Sequence, residues 1–437
     1  MNEAEGLLAD GRYHNEPVLN RRQSESVEHE LHVESEPRQE PERLNLLVYL
    51  TFVLVGASYL WPWNCFLSAT PYFFSRLGDY RLLKNNAPSS IMFINTFASF
   101  FFAGYLASKQ KNADYRYRVL LGELIIAFAF LVLALLCVIP FGPILYFISL
   151  MSMVFVSSLG AALTQTGSFS LVSRRGSKYT QAIMVGQAVS GVLPAFLAML
   201  SGGRARDGSP STVLSGLYFL SATTVSGVTL VLFLMWLEQV KKEDDLKVSP
   251  NSGDQESSND GLSGSPETTT EVPFGLLFEK LLIPSVSVAL TFTVTLIYPI
   301  FANTVTSKQG LAPDVFIPLA IFIWNLGDLS GRVICGLQKL VVVRRDTMIS
   351  YAVLRLLYIP LFLLCHSGAI SNDVIYLLLQ YSFGVTNGHL ASSAMMSPVH
   401  YVQKSQLEAA GGFMTVALTA GLTAGSLLSF AVVALVN

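Results

Sequence analysis

The sequence predicts an all-α polytopic membrane protein with eleven transmembrane helices in a six-plus-five arrangement. Of its 437 residues, 51% are hydrophobic and only 13% are charged, whereas an ordinary soluble domain carries about 25% charged residues. Windows of about 20 apolar residues, the length that crosses a bilayer, recur along the chain. These windows make the lipid bilayer the first expected partner. A long polar stretch after the sixth window separates six spans from five.

The predicted spans are separated by gaps that contain charge, proline or glycine, which interrupt apolar helices. The first six spans cover residues 44–66, 89–107, 117–138, 144–172, 180–200 and 213–237. The last five cover residues 276–302, 315–337, 348–366, 374–396 and 408–436.

Four segments follow from this pattern. Residues 1–43 are polar and predict a disordered cytosolic tail, and residues 44–237 predict a six-helix bundle. Residues 238–273 are rich in Ser, Gly, Asp and Glu, which cannot bury apolar area, so they predict a disordered cytosolic linker. Residues 274–437 predict a five-helix bundle. Two linked bundles are typical of transporters that rock around a central site.

The basic residues predict the orientation of the chain. The loops after the even-numbered spans hold 14 Lys and Arg residues, and the opposite loops hold 6. Because such residues concentrate in cytosolic loops, we expect a cytosolic N-terminus and a C-terminus on the other side. The first 43 residues lack the apolar core and cleavage site of a signal peptide, so we expect the first span to direct insertion.

Several function classes lose support from the sequence. The chain has no GxxxxGK[ST] phosphate loop, and its basic residues do not cluster as on a nucleic-acid-binding surface. His366, His389 and His400 are too scattered for a zinc site, and the four cysteines fall within apolar spans. We therefore expect no enzyme, cofactor, metal ion or nucleic-acid partner.

The strongest candidate site is a pair of opposite charges within the eighth span. Asp328 and Arg332 lie four residues apart in the apolar stretch IFIWNLGDLSGRVICGL, so both side chains share one helix face. A charge at mid-bilayer costs roughly 2.5–3.5 kcal/mol on insertion scales. The pair therefore indicates either a polar site that faces the bundle interior or a salt bridge that joins this helix to its neighbours.

Further polar side chains interrupt other spans and could line the same cavity. They are Trp63 and Asn64 in the first span, Gln165 in the fourth, Gln187 in the fifth, Asn325 in the eighth, and Asn387 and His389 in the tenth. Such groups also serve as interhelical hydrogen bonds, which we favour for Gln187 and Asn387. Glu123, close to Arg116 and Arg118 at the end of the third span, predicts an interfacial salt bridge.

Several motifs resemble those of the equilibrative nucleoside transporter family. The first span contains LWPWNCFLSATPYF at residues 60–73, similar to that family's Pro-Trp-Asn segment. In the eighth span, Asn325, Asp328, Gly331 and Arg332 match the family's Asn-x-x-Asp-x-x-Gly-Arg signature. Residues 383–392, FGVTNGHLAS, resemble its Asn-Gly-Tyr-Leu segment, and YTQAIMVGQ at residues 179–187 is similar too.

The resemblance implies a fold of the major-facilitator type that moves purine and pyrimidine nucleosides, such as adenosine and uridine, by alternating access. It implies that Asp328 and Arg332 meet the ribose hydroxyls and that Gln165 hydrogen-bonds the base. The same resemblance places Trp63, Leu67, Phe97 and Phe100 in an apolar wall around the base, with Asn325 in the site. A carboxylate can accept from two vicinal hydroxyls while an arginine donates and keeps that carboxylate ionised.

Two positions depart from the family pattern. Trp324 replaces the usual Phe, a change that packing tolerates, and His389 replaces the usual Tyr. Because histidine titrates near neutral pH, His389 would make transport sensitive to pH. The alternative is a neutral histidine that is hydrogen-bonded within the protein.

Glu3, Leu7 and Leu8 have the form of an acidic dileucine sorting signal. Sorting adaptors that read such a signal on the cytosolic side would direct the protein to a vacuolar or lysosomal membrane, and the plasma membrane is the alternative. Facilitated diffusion needs the fewest assumptions. Proton-coupled export of nucleosides or nucleobases from a vacuole or lysosome, and a nucleoside sensor that does not transport, remain as alternatives.

Overall fold

The computed structural model describes residues 45–78, 80–201, 212–248 and 271–436. Helices and the turns between them make up this part of the chain. In the first half they are α1 Leu46–Ser68, α2 Thr70–Leu77, α3 Arg81–Ser108, α4 Tyr115–Val138, α5 Pro143–Ser173, α6 Ser177–Ser201 and α7 Thr212–Val248. In the second half they are α8 Phe274–Thr304, α9 Pro313–Ile334, α10 Arg345–Leu354, α11 Tyr358–His366, α12 Asp373–Met396 and α13 Leu407–Val436.

The predicted all-α polytopic fold is confirmed. Nine helical segments in the described residues are long and apolar enough to cross a membrane. Two further predicted spans are the helices α6 and α12, which have 25 and 24 residues but are not among those nine. Both helices bury polar side chains, including Gln187 and Asn387, which lower the apolar content. The count of eleven crossings therefore stays a prediction.

Several boundaries differ from those predicted. Helix α3 begins at Arg81, so Arg81 and Lys84 lie on its first turns. Helix α7 continues to Val248, because residues 238–248 (EQVKKEDDLKV) are largely good helix formers. Residues 249–270 of the predicted linker and residues 1–43 of the predicted tail lie outside the described residues.

The ninth predicted span is broken in its middle. Helices α10 and α11 are joined by a 3-10 turn at Arg355–Leu357. Pro360 follows three residues later and has no N–H to bond the carbonyl of Leu356, so regular helix geometry is disfavoured at this point. The break places Arg355 within the bundle at the end of a helical segment.

Helix α4 shows how the chain divides its faces between protein and lipid. Leu124, Phe128, Leu131 and Leu135 form one stripe at helical spacing, and each is between 43% and 59% exposed. The opposite face is buried, with Ile126 and Phe130 at 0% exposure. An exposed apolar stripe of this kind is the surface that a bilayer covers.

The two halves meet at several helix contacts. Helix α6 packs against α9, and α13 packs against α3 and α5. Phe196 of α6 and Phe322 of α9 are in ring contact, with centroids 5.5 Å apart. On the other contact, the Thr423 hydroxyl of α13 donates to the carbonyl oxygen of Thr96 in α3 at 3.1 Å. The α6–α9 contact brings the polar side chains of both halves together.

Candidate functional site

Asp328 and Arg332 form a buried ion pair on α9. Arg332 Nε donates to Asp328 Oδ2 at 2.8 Å, and the two residues are only 6% and 4% exposed. Their i,i+4 spacing on the helix gives the contact, as the sequence indicated. A buried pair is stable only when its remaining donors and acceptors also find partners.

Partners come from α6 and α12 on either side of the pair. Arg332 Nη1 donates to the carbonyl oxygen of Met184 at 2.9 Å and to Gln187 Oε1 at 2.7 Å. Asn387 Nδ2 donates to Asp328 Oδ1 at 2.6 Å. Both carboxylate oxygens of Asp328 therefore accept hydrogen bonds from side chains of the bundle. The sequence favoured interhelical hydrogen bonds for Gln187 and Asn387; both side chains form such bonds, and their partners are the charged pair.

Glycines let these helices come close enough for such bonds. A Cβ added at Gly388 of α12 would lie 2.0 Å from the carbonyl oxygen of Asp328, and one at Gly384 would lie 2.1 Å from that of Trp324. Only a residue without a side chain fits at these crossings. The same close approach of the helices places Asn387 within hydrogen-bond distance of Asp328.

The network continues into the first half through Gln187. Gln187 Nε2 donates to the Tyr59 hydroxyl of α1 in a short hydrogen bond. That hydroxyl also interacts with the side chain of Gln165 on α5, which is 8% exposed. The structure therefore brings three of the predicted site residues, Asp328, Arg332 and Gln165, into one network that crosses both halves.

Asn325 lies one turn before the pair and makes different contacts. Its Nδ2 donates to the carbonyl oxygen of Ile321 at 2.8 Å. Its Oδ1 would be 2.4 Å from a Cβ added at Gly191 of α6. Asn325 therefore packs at the contact between α6 and α9.

The residues of the predicted apolar wall lie on α1 and α3. Leu67 and Phe97 are 55% and 50% exposed, and Trp63 and Phe100 are partly buried. Phe97 stacks on Phe93 with ring centroids 5.4 Å apart. The recorded contacts do not join these four residues to the charged pair, and their role in a wall around the base stays a prediction.

His389 lies on α12 but bonds a different part of the chain. Its Nε2 is 2.8 Å from the carbonyl oxygen of Leu340, which follows α9, and its ring lies 5.9 Å from that of Tyr351. Its role as a pH sensor stays a prediction. Glu3, Leu7 and Leu8, the predicted sorting signal, lie outside the described residues.

The predicted salt bridge of Glu123 is wrong. Glu123 is 0% exposed and accepts a hydrogen bond from the Ser58 hydroxyl of α1 at 2.5 Å. Arg118 instead donates to the carbonyl oxygens of Leu106 and Lys109. The charged neighbours in the sequence suggested an interface, but Glu123 faces α1 while Arg118 turns towards the end of α3.

Arg355 is a site residue that sequence reasoning missed. It is 1% exposed, and its Nη1 donates to Asn387 Oδ1 at 3.0 Å. The sequence did contain a signal for it, because Arg355, like Arg332, is a charged residue within an apolar span. The mid-span arginine extends the polar network to the turn between α10 and α11.

Comparison with known proteins gives the family. A family model described as nucleoside transporter matches residues 150–434. A nucleoside transporter of Saccharomyces cerevisiae, FUN26, is 34% identical over 468 aligned positions, covering 91% of this chain and 86% of the yeast protein. The chain belongs to the nucleoside transporter family. Human equilibrative nucleoside transporter 1 is 26% identical, with 90% of this chain and 98% of the human protein covered.

Solved structures of major-facilitator type share the fold with this family member. The proton:xylose symporter XylE matches with a TM-score of 0.59 at 11% identity, over 89% of this chain and 87% of XylE. The human organic anion transporter MFSD10 matches with a TM-score of 0.58 at 14% identity, over 89% and 93% of the two chains. The predicted major-facilitator-like fold is therefore confirmed. The family is one of transporters and not of enzymes.

Proposed function

We propose that this protein carries purine and pyrimidine nucleosides across a membrane by alternating access. The buried network around Asp328 and Arg332 carries the proposal, because it lies where α6 of the first half meets α9 of the second. A site at that contact is bonded to both halves, so binding there can be linked to their relative movement. Family membership and the relatives named for nucleoside transport support the substrate class.

Recognition of the nucleoside follows from the chemistry of these side chains. Asp328 accepts hydrogen bonds from the two vicinal ribose hydroxyls, and Arg332 donates to the same sugar. Gln165 offers an amide to the edge of the base, while Trp63, Leu67, Phe97 and Phe100 form the apolar surface against which the base lies. Asn325 helps to position the site on α9.

Transport proceeds by facilitated diffusion in this proposal, and no ion gradient is needed. The N-terminus lies in the cytosol, and Glu3, Leu7 and Leu8 direct the protein to a vacuolar or lysosomal membrane through sorting adaptors. Replacing Leu7 and Leu8 by Ala and imaging the protein tests the location, since unchanged placement rejects the sorting signal.

Flux of radiolabelled uridine or adenosine into proteoliposomes tests the function. Facilitated diffusion predicts uptake that needs no pH gradient and is accelerated by unlabelled nucleoside inside. Uptake only under an imposed pH gradient would favour proton coupling. Binding of uridine without any flux would instead favour the sensor and reject the proposal.

A further inference from the structure

Arg355 is a buried cation whose position in the bundle calls for an explanation. It lies in the 3-10 turn between α10 and α11 and is 1% exposed. Burial of an unpaired charge within a membrane bundle is expensive, so such residues commonly serve a function. Its guanidinium carbon lies 5.0 Å from the centre of the Phe383 ring, and its Nε and Nη2 are buried with no hydrogen-bond partner.

Among the described residues, the hydrogen bond of this guanidinium leads to Asp328. Arg355 Nη1 donates to Asn387 Oδ1 at 3.0 Å, and Asn387 Nδ2 donates to Asp328 Oδ1 at 2.6 Å. The Thr295 hydroxyl donates to the same Asn387 oxygen at 2.5 Å. The amide of Asn387 therefore presents its oxygen to two donors and its NH2 group to the carboxylate.

The cation fixes which way this amide points. A flipped amide would place its NH2 group against the guanidinium and its oxygen against the carboxylate, and both contacts would be repulsive. With Arg355 in place, Asn387 holds Asp328 Oδ1 while Arg332 holds Oδ2 at 2.8 Å. Two arginines on different helical segments thus act on one carboxylate, one directly and one through an amide.

We propose that Arg355 is a positioning residue for recognition of the ribose hydroxyls. It acts through Asn387 to hold the Asp328 carboxylate in the orientation that accepts from the hydroxyls, and it does not touch the substrate. The inference rests on the proposed function, in which Asp328 accepts from those hydroxyls. Its consequence is specific, because loss of Arg355 weakens binding of substrates with the two hydroxyls and spares substrates without them.

Binding of uridine and of 2′,3′-dideoxyuridine to the purified full-length protein tests the positioning role of Arg355. The ratio of their dissociation constants measures the preference for the hydroxyls. We expect Arg355→Gln to lower this preference by about tenfold or more, with little change in dideoxyuridine affinity, because a site built for hydroxyls discriminates strongly only when its polar groups are in place. Arg355→Lys keeps a donor and should restore part of the preference. Arg344→Gln, an exposed arginine before α10, is the matched control.

A merely structural role gives a different result. Equal weakening of both ligands by Arg355→Gln, or an unchanged ratio, would overturn the inference. Should that variant not fold, Asn387→Ser removes the relay and must lower the same ratio, and failure to do so also overturns it. Wild-type protein that binds both ligands equally would instead refute the ribose contact of Asp328 in the proposed function.

Discussion

Glu123 is a carboxyl group in the interior of the first half. It is 0% exposed and faces Ser58, Thr164 and Ser226, whereas its charged neighbours in the chain had indicated an interfacial position. Within the described residues, Glu123 Oε2, Thr164 Oγ1 and Ser226 Oγ are buried without a hydrogen bond of normal geometry. An isolated charge in such surroundings is too costly, so we infer that Glu123 is neutral and that its hydroxyl donates a hydrogen bond to one of these side chains.

A neutral Glu123 predicts that an amide can replace it. Glu123→Gln preserves the shape and the donor, so thermal stability and uptake should stay close to wild type. Glu123→Ala removes the hydrogen bond between Ser58 and Glu123 and leaves a cavity between the helices, which costs about 1–3 kcal/mol and lowers the melting temperature. The exposed Glu279→Ala on α8 is the control. A Glu123→Gln protein as unstable as Glu123→Ala would show that the carboxylate is charged.

His389 gives a second test at a single residue. If its titration controls transport, His389→Tyr should flatten the pH dependence of nucleoside uptake between about pH 5 and 8, where histidine changes charge. Uptake measured in proteoliposomes at equal pH on both sides of the membrane separates the titration of His389 from coupling of uptake to a proton gradient. An unchanged pH profile would reject His389 as a sensor and leave its bond to the Leu340 carbonyl as a structural contact.

Helix contacts were only partly predictable. Pairs of glycines four residues apart, such as Gly384 and Gly388, indicated close helix packing, and the structure places them at the α9–α12 crossing. The break in the ninth span and the extension of α7 to Val248 were missed, because apolar windows report burial in lipid and not the end of a helix. Which residues face each other across a crossing depends on helical phase, which a single sequence leaves open.

The α9–α12 crossing predicts a steric effect. Gly388→Ala puts a methyl group 2.0 Å from the carbonyl oxygen of Asp328, so the two helices must separate. Asn387 then loses its hydrogen bond to Asp328. We expect a marked fall in melting temperature and in uptake. Gly104→Ala on α3 is the matched control, because no atom lies within 4 Å of the added Cβ and alanine favours the helix. Equal effects of the two changes would contradict the packing account.

The start of α12 predicts a pH effect on stability. Burial would raise the pKa of Asp373, but hydrogen bonds from the Ser307 hydroxyl and the backbone N–H groups of Lys308 and Gln309 outweigh it and lower the pKa. Such a group stabilises the fold above its unfolded pKa of about 3.9 and loses that contribution as pH falls through its folded pKa.

Asp373→Asn should therefore lower the melting temperature at pH 7 and equally at pH 5. The difference from wild type should begin to shrink only below about pH 4, where the unfolded chain takes up the proton, and should disappear once pH falls below the lowered pKa of the folded protein. Thermal melts of the purified protein over this range measure it. A difference that already disappears at pH 5 would show that the pKa of Asp373 is not lowered.

At the scale of the whole molecule, composition and apolar windows predicted the all-helical membrane fold, and motifs predicted the family. Asp328 and Arg332 were found because a charge within a span is rare. The hydrogen-bond partners of this pair were not identified from the sequence. Gln187, Asn387 and Arg355 come from three other helical segments and converge only in the folded bundle. The network crosses the contact between the halves, and the proposed function links recognition of the nucleoside to their movement.

Uptake of labelled uridine by proteoliposomes that contain Asp328→Asn is the most direct test of this account. Asparagine keeps the size of the side chain and removes the charge that pairs with Arg332 at 2.8 Å. The account predicts that Asp328→Asn abolishes uptake while the exposed Asp346→Asn control on α10 transports as wild type. Wild-type uptake by folded Asp328→Asn protein would contradict the claim that this carboxylate binds the nucleoside.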